Sequence, residues 1–102
     1  MIGMGLVNTN LSVMIATEFD RWLMAFAKTE AEWEARAGAF LKAELKKANV
    51  TYAQLVGLMK KHGFKETEAS ITNKLKRGTF NATWFLAALV AIGRDTVRLE
   101  EI

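Results

Sequence analysis

An all-α domain is the fold this sequence predicts: a bundle of four or five helices with an extra helix on its N-terminal side. Three observations predict it. Apolar residues recur at helical spacing over most of the chain. Proline is absent and β-branched runs are few. Thr or Asn stands before successive apolar-periodic stretches, and Gly or Asn behind them, as helix caps require. The 102 residues make one domain, and 51% hydrophobic content is enough for a modest core and too much for a disordered tail.

The chain divides into an N-terminal extension and helix over 1–28 and a helical domain over 29–102. Met1–Asn10 is rich in Gly and Asn and is expected to be irregular. Leu11–Ile15 alternates briefly and fits a short strand. Glu18, Asp20 and Arg21 interrupt the apolar content early, which excludes a signal peptide and a membrane span. Thr17 is the expected cap of a helix running to about Lys28. Its apolar stripe is Phe19, Trp22, Leu23 and Phe26. So aromatic a stripe on so short a helix packs on its own domain or forms a dimer contact; a helix lying on a membrane surface is disfavoured, because the polar face lacks Lys/Arg enrichment.

Thr29 and Glu32 fit a capping box before a helix to about Ala48, with Trp33, Ala37, Phe40, Leu41 and Leu45 as its inward stripe. Asn49-Val50 breaks it. Thr51 and Gln54 form a second box, and Leu55, Val56 and Met59 face inward from the helix they open. Gly63 suits a left-handed turn after Lys60, Lys61 and His62, and Phe64 folds back to the core. Thr67 caps a helix over 67–77 whose strong apolar residues are Ile71 and Leu75. Asn81 caps a last helix, Ala82 to Ile92, apolar nearly all round. The tail from Thr96 to Ile102 alternates apolar and charged residues and reads as a short edge strand, paired with Leu11–Ile15, or as coil.

Charge is unevenly placed. Phe40 to Gly78 holds nine Lys/Arg against three Asp/Glu, whereas the rest holds five against eight. A basic block between acidic flanks points to a polyanion on one face. Cysteine is absent, which removes disulfides and thiolate chemistry and fits a reducing, cytoplasmic compartment. No His/Asp/Glu group has metal-ligand spacing, no Gly-rich phosphate loop is present, and the lone His62 stands at a helix end. An enzyme, a metal site, a cofactor and a small-molecule ligand are therefore not expected.

Thr51 to Gly78 reads as two short helices joined by a tight connection. The helix over 67–77 has one narrow apolar seam and polar residues elsewhere. Ser70, Thr72, Asn73 and Lys74 are the expected groove or base contacts, because Asn pairs bidentately with adenine and short hydroxyls approach base edges closely. Thr51, Tyr52, Lys60, Lys61, Lys65, Lys76 and Arg77 are the expected phosphate contacts, as cations or at a helix start. Glu66 and Glu68, near the start of that helix, are expected to repel phosphate, unless Glu68 accepts from cytosine or serves only the helix N-terminus.

From Thr29 to Glu100 the chain resembles the small bacterial helix-turn-helix domains of the lambda-repressor-like, Xre-type superfamily. It resembles more closely a bacterial domain family of unknown function in that neighbourhood. The closer likeness rests on Glu32–Ala37, Leu41–Lys46, Val50–Leu55, Lys65–Ala69, Ile71–Gly78, and Phe85-Leu86 through Ala91–Gly93. The run Ile71-x-Asn73-Lys74-Leu75-x-Arg77-Gly78 before a Phe-bearing helix is its most specific part. The resemblance implies four or five helices and a DNA-binding role, with no ligand or reaction. The chain departs from the repressor pattern at Tyr52, in the length of His62–Thr67, and in the four-residue spacing of Ile71 and Leu75.

The expected function is sequence-preferring binding of double-stranded DNA by a homodimeric transcription regulator, with Phe19, Trp22, Leu23 and Phe26 at the dimer contact. The alternative is a protein-interaction module, antitoxin-like or an adaptor, that keeps the fold without DNA. RNA is disfavoured because the aromatics read as core, whereas single-strand recognition needs exposed stacking rings.

Overall fold

A computed structural model describes residues 18–102. Residues 18–24 are helical (α1). They are followed by α2 (Glu30–Ala48), α3 (Tyr52–Lys60), α4 (Glu68–Arg77), α5 (Ala82–Ala91) and a 3-10 turn, Leu99–Glu101. Among the described residues there is no strand, so the architecture is all-α. The expected Thr17 cap and the Leu11–Ile15 strand lie outside the described residues.

Side-chain caps set the helix boundaries. The Glu32 N–H donates to Thr29 Oγ1 at 3.1 Å. The Glu32 carboxylate reaches back past the cap to the Lys28 N–H, at 3.0 Å, so this box closes one residue earlier than expected. That backbone donor holds the Glu32 carboxyl below its ordinary range. Thr51 with Gln54 and Thr67 with Ser70 form reciprocal boxes in which two orphan amides are satisfied each time. Asn81 caps α5 by accepting from the Trp84 N–H at 2.9 Å. Asn49 takes the left-handed conformation, φ 58°, and Val50 N–H donates to the Leu45 carbonyl, which ends α2.

The core joins Phe40, Leu41 and Leu45 of α2, Leu55 and Met59 of α3, Ile71 and Leu75 of α4, and Trp84, Ala88 and Leu89 of α5. Each large side chain buried there contributes about 1.5–3 kcal/mol of transfer free energy. α4 packs on α2 and α3, and α5 packs on α3. The α2–α4 contact is backbone on backbone. A Cβ on Gly38 would stand 2.3 Å from the Leu75 carbonyl oxygen, and one on Gly78 would stand 1.8 Å from that of Glu34. Gly78 also takes φ +68°, so it both ends α4 and permits the approach.

Three expectations are corrected and one open alternative is decided. α1 ends at residue 24 and does not run to Lys28. The Ala25 and Phe26 amides turn back to Trp22 and Leu23, and the Arg36 guanidinium holds the Ala25 carbonyl at 2.8 Å. Phe26 and Ala27 are thereby turned inward and buried. Trp33 is 41% exposed and Ala37 only partly buried, so neither is core. Trp33 stacks on Phe26, centroids 6.1 Å apart, in an aromatic cluster apart from the main core. Of the two readings of the tail, strand or coil, coil holds: Glu101 accepts from the Arg98 N–H and from Arg94, and this curls the chain end into the 3-10 turn.

Candidate nucleic-acid interface

The outer face of α4 follows from its sequence. Ile71 and Leu75 are fully buried, which turns Ala69, Thr72, Asn73, Lys76 and Arg77 to solvent, and all five are exposed. Thr72 Oγ1 donates to the Glu68 carbonyl one turn back, at 2.8 Å. Glu68 is exposed too, but at 100° per residue it lies about 140° around the helix from Asn73.

Ser70 and Lys74 sit on the flank of α4, half-covered, and their polar atoms are engaged within the protein. Ser70 Oγ donates to Glu66 Oε1 at 2.6 Å, and Lys74 Nζ to Glu66 Oε2 at 2.6 Å. The indole Nε1 of Trp84, on α5, donates to the same Oε2 at 3.0 Å. Lys74 also lies 5.2 Å from the centroid of the Trp84 ring, a cation–π arrangement. Burial pushes the Glu66 carboxyl up, but the donors Lys74, Ser70 and Trp84 outweigh it, so the group is held below its ordinary range. This corrects the expectation that Glu66 repels phosphate: it is covered, ionised and neutralised by Lys74. Sequence reasoning missed the constellation because Trp84 is eighteen residues from Glu66. The only local signal was the spacing of Glu66, Ser70 and Lys74, each four apart.

The ion pairs of the described residues use Lys47, Lys74, Arg94 and Arg98. Lys60, Lys61, Lys65, Lys76 and Arg77 stand outside them, all exposed. Lys60, Lys61 and Lys65 lie before α4, at the end of α3 and in the connection. Lys76 and Arg77 lie in the last turn of α4. Thr51 is exposed at the start of α3, with its hydroxyl and its amide both used by Gln54. The Tyr52 ring is partly buried against the core. His62 is exposed after α3, its amide donating to the Met59 carbonyl.

Of the expected dimer residues, Phe19, Trp22 and Leu23 are half-exposed, whereas Phe26 is buried. The rings of Trp22 and Phe26 meet edge to face at 4.6 Å. Trp33 and Leu99, not anticipated from the sequence, complete an open groove with Trp22, Leu23, Phe26 and Ala27. Leu86 and Val90, one turn apart on α5, form a second exposed apolar pair.

Among the described residues no group of three His, Cys, Asp or Glu side chains could hold a metal ion. No helix there is long and apolar enough to cross a membrane. No curated protein and no solved structure matches the chain. Residues 33–97, more than half of the chain, match the family described as a domain of unknown function, DUF6471, and to that family this protein belongs.

Proposed function

We propose that the protein binds double-stranded DNA with a sequence preference, as a cytoplasmic regulator of transcription. In this reading α3 and α4 act as a helix-turn-helix pair, as in lambda-repressor-like, Xre-type domains, and α4 enters the major groove. One observation carries it. The exposed face of α4 bears Asn73 with Thr72 beside it, and exposed cations outside the ion pairs of the described residues stand both before α4 and at its end.

Asn73 supplies the bidentate contact to adenine, and Thr72 the shorter one. Ser70 and Lys74 contribute less directly, since Glu66 holds their polar atoms. Lys60, Lys61, Lys65, Lys76 and Arg77 take phosphates, as do the first amides of α3 beside Thr51 and Tyr52. Catalysis and a bound cofactor form no part of this reading.

A homodimer accompanies it. Phe19, Trp22 and Leu23 offer an apolar patch flanked by exposed Glu18 and Asp20, with Lys28 at the groove. Acid and base on one patch can pair with themselves across a two-fold axis. The competing reading, a protein-interaction module without DNA, is favoured by the same groove and by exposed Leu86 and Val90.

The test is selection from a random pool of short duplexes at two salt concentrations. The DNA reading expects one enriched motif and an affinity that falls steeply with salt, as release of counterions from several phosphates requires. A palindromic motif would report the dimer. Weak, sequence-blind binding that vanishes at moderate salt would overturn the DNA reading in favour of a protein partner.

A further inference from the structure

The seam that seats α4 on the bundle is narrow: Ile71 and Leu75 are its only buried side chains. Two side chains one turn apart, with the close backbone approach of Leu75 and Gly78 to α2, seat the helix along one line and leave its flanks without apolar packing. A second restraint lies on one flank. Ser70 and Lys74, also one turn apart, both bind the carboxylate of Glu66, which precedes the helix, and that carboxylate is tied to α5 through Trp84. The Glu66 side chain is 4% exposed and Trp84 2%, so the restraint is shielded from water on the bundle side.

We propose that Glu66 is a positioning residue: it sets the roll of α4, and so decides how Asn73 and Thr72 face the groove. The orientation of α4 follows from contacts within the bundle, and its effect on recognition rests on the DNA reading above. The size of the effect follows from helix geometry. With side-chain ends about 5–6 Å from the axis, a roll of about 20° moves the tip of Asn73 by about 2 Å. Hydrogen bonds hold over only about half an ångström of donor–acceptor distance, so such a roll breaks a bidentate contact. Contacts from long, flexible lysines to phosphate survive it. A buried carboxylate met by donors also adds little net stability over an apolar replacement of the same shape, which favours orientation as its purpose.

The experiment compares the full-length protein with Glu66→Gln, which keeps the size of the side chain and removes its charge, and with Trp84→Phe, which keeps a ring and removes the donor. Binding is measured to the duplex selected by the wild type and to a scrambled duplex at the same salt. Residual dipolar couplings measure the angle of α4 relative to α2. Glu66→Gln is expected to lose tenfold or more of the preference for the selected duplex, with scrambled-duplex affinity within twofold, and to reorient α4. Trp84→Phe is expected to do the same to a smaller degree, and it decides the matter if Glu66→Gln fails to fold. Equal losses on both duplexes, or unchanged couplings in a folded variant, would overturn the proposal. If the wild type selects no duplex, the DNA reading fails, and the couplings alone decide whether Glu66 orients α4.

Discussion

Glu66 and Glu44 are both almost completely covered, and they are satisfied by different means. Glu66 is met by a hydroxyl, an indole and an ammonium, drawn from α4 and α5. Glu44, on α2, is met by two cations: Lys47 one turn on and Arg94 from the chain after α5. Lys47 is 70% exposed and Arg94 28%, and Arg94 also holds Glu101 and the Thr96 carbonyl. One carboxylate is thus tied mainly by directed hydrogen bonds between packed helices. The other is held by two cations alone, one of them highly exposed and one shared with a second acid. A carboxylate of the first sort fixes an angle, and one of the second fastens a tail.

The sharpest way to break this comparison is to remove each carboxylate in turn. Glu66→Ala strands the Trp84 N–H and unpairs Lys74. It should cost about 2–3 kcal/mol, below the full cost of breaking a buried pair because the ammonium can still reach water. Glu44→Ala should cost less, about 1–2 kcal/mol, and the loss should shrink as salt rises, since Arg94 keeps Glu101. Urea midpoints at low and high salt check both, and equal losses with equal salt response would erase the distinction.

Asn73→Ala sharpens it from the outer side of the same helix. Stability should change by less than about 0.5 kcal/mol, while binding to a selected duplex weakens by about 1–3 kcal/mol. A variant that unfolds would mean that α4 is turned otherwise than described. The smallest effect is with pH. The Glu66 carboxyl is held low in the folded protein, so its contribution is fully present above the ordinary glutamate pKa of about 4.3 and is lost as pH falls through the lowered value. Wild type should therefore lose more stability than Glu66→Gln between pH 5 and pH 3 (test values), in urea melts at fixed salt.

What could be read from the sequence was what is local. Thr29, Thr51, Thr67 and Asn81 cap helices because a cap is decided within three or four residues. Ile71 and Leu75 are buried because helical spacing puts them on one face. The exposure of Asn73, Lys76 and Arg77 follows from the same arithmetic. The aromatic residues near α1 obeyed no such rule. Phe26 lies on the stripe of Phe19, Trp22 and Leu23 by spacing, but the helix stops before it, and Arg36, eleven residues past Ala25, holds the turn. Alternation in the tail left strand and coil open, and the pair of Arg94 and Glu101, seven apart, decides between them. Glu66 was read by its charge because nothing near it in the chain announces Trp84.

The meeting of Gly38 with Leu75 and of Gly78 with Glu34 has one further consequence. The seat of α4 is built from backbone, two buried apolar residues and one polar flank, all on its inner side. Positions 69, 72, 73, 76 and 77 take no part in it. They form a replaceable cassette: a library randomised at those five positions should keep the scaffold intact and vary only what it recognises.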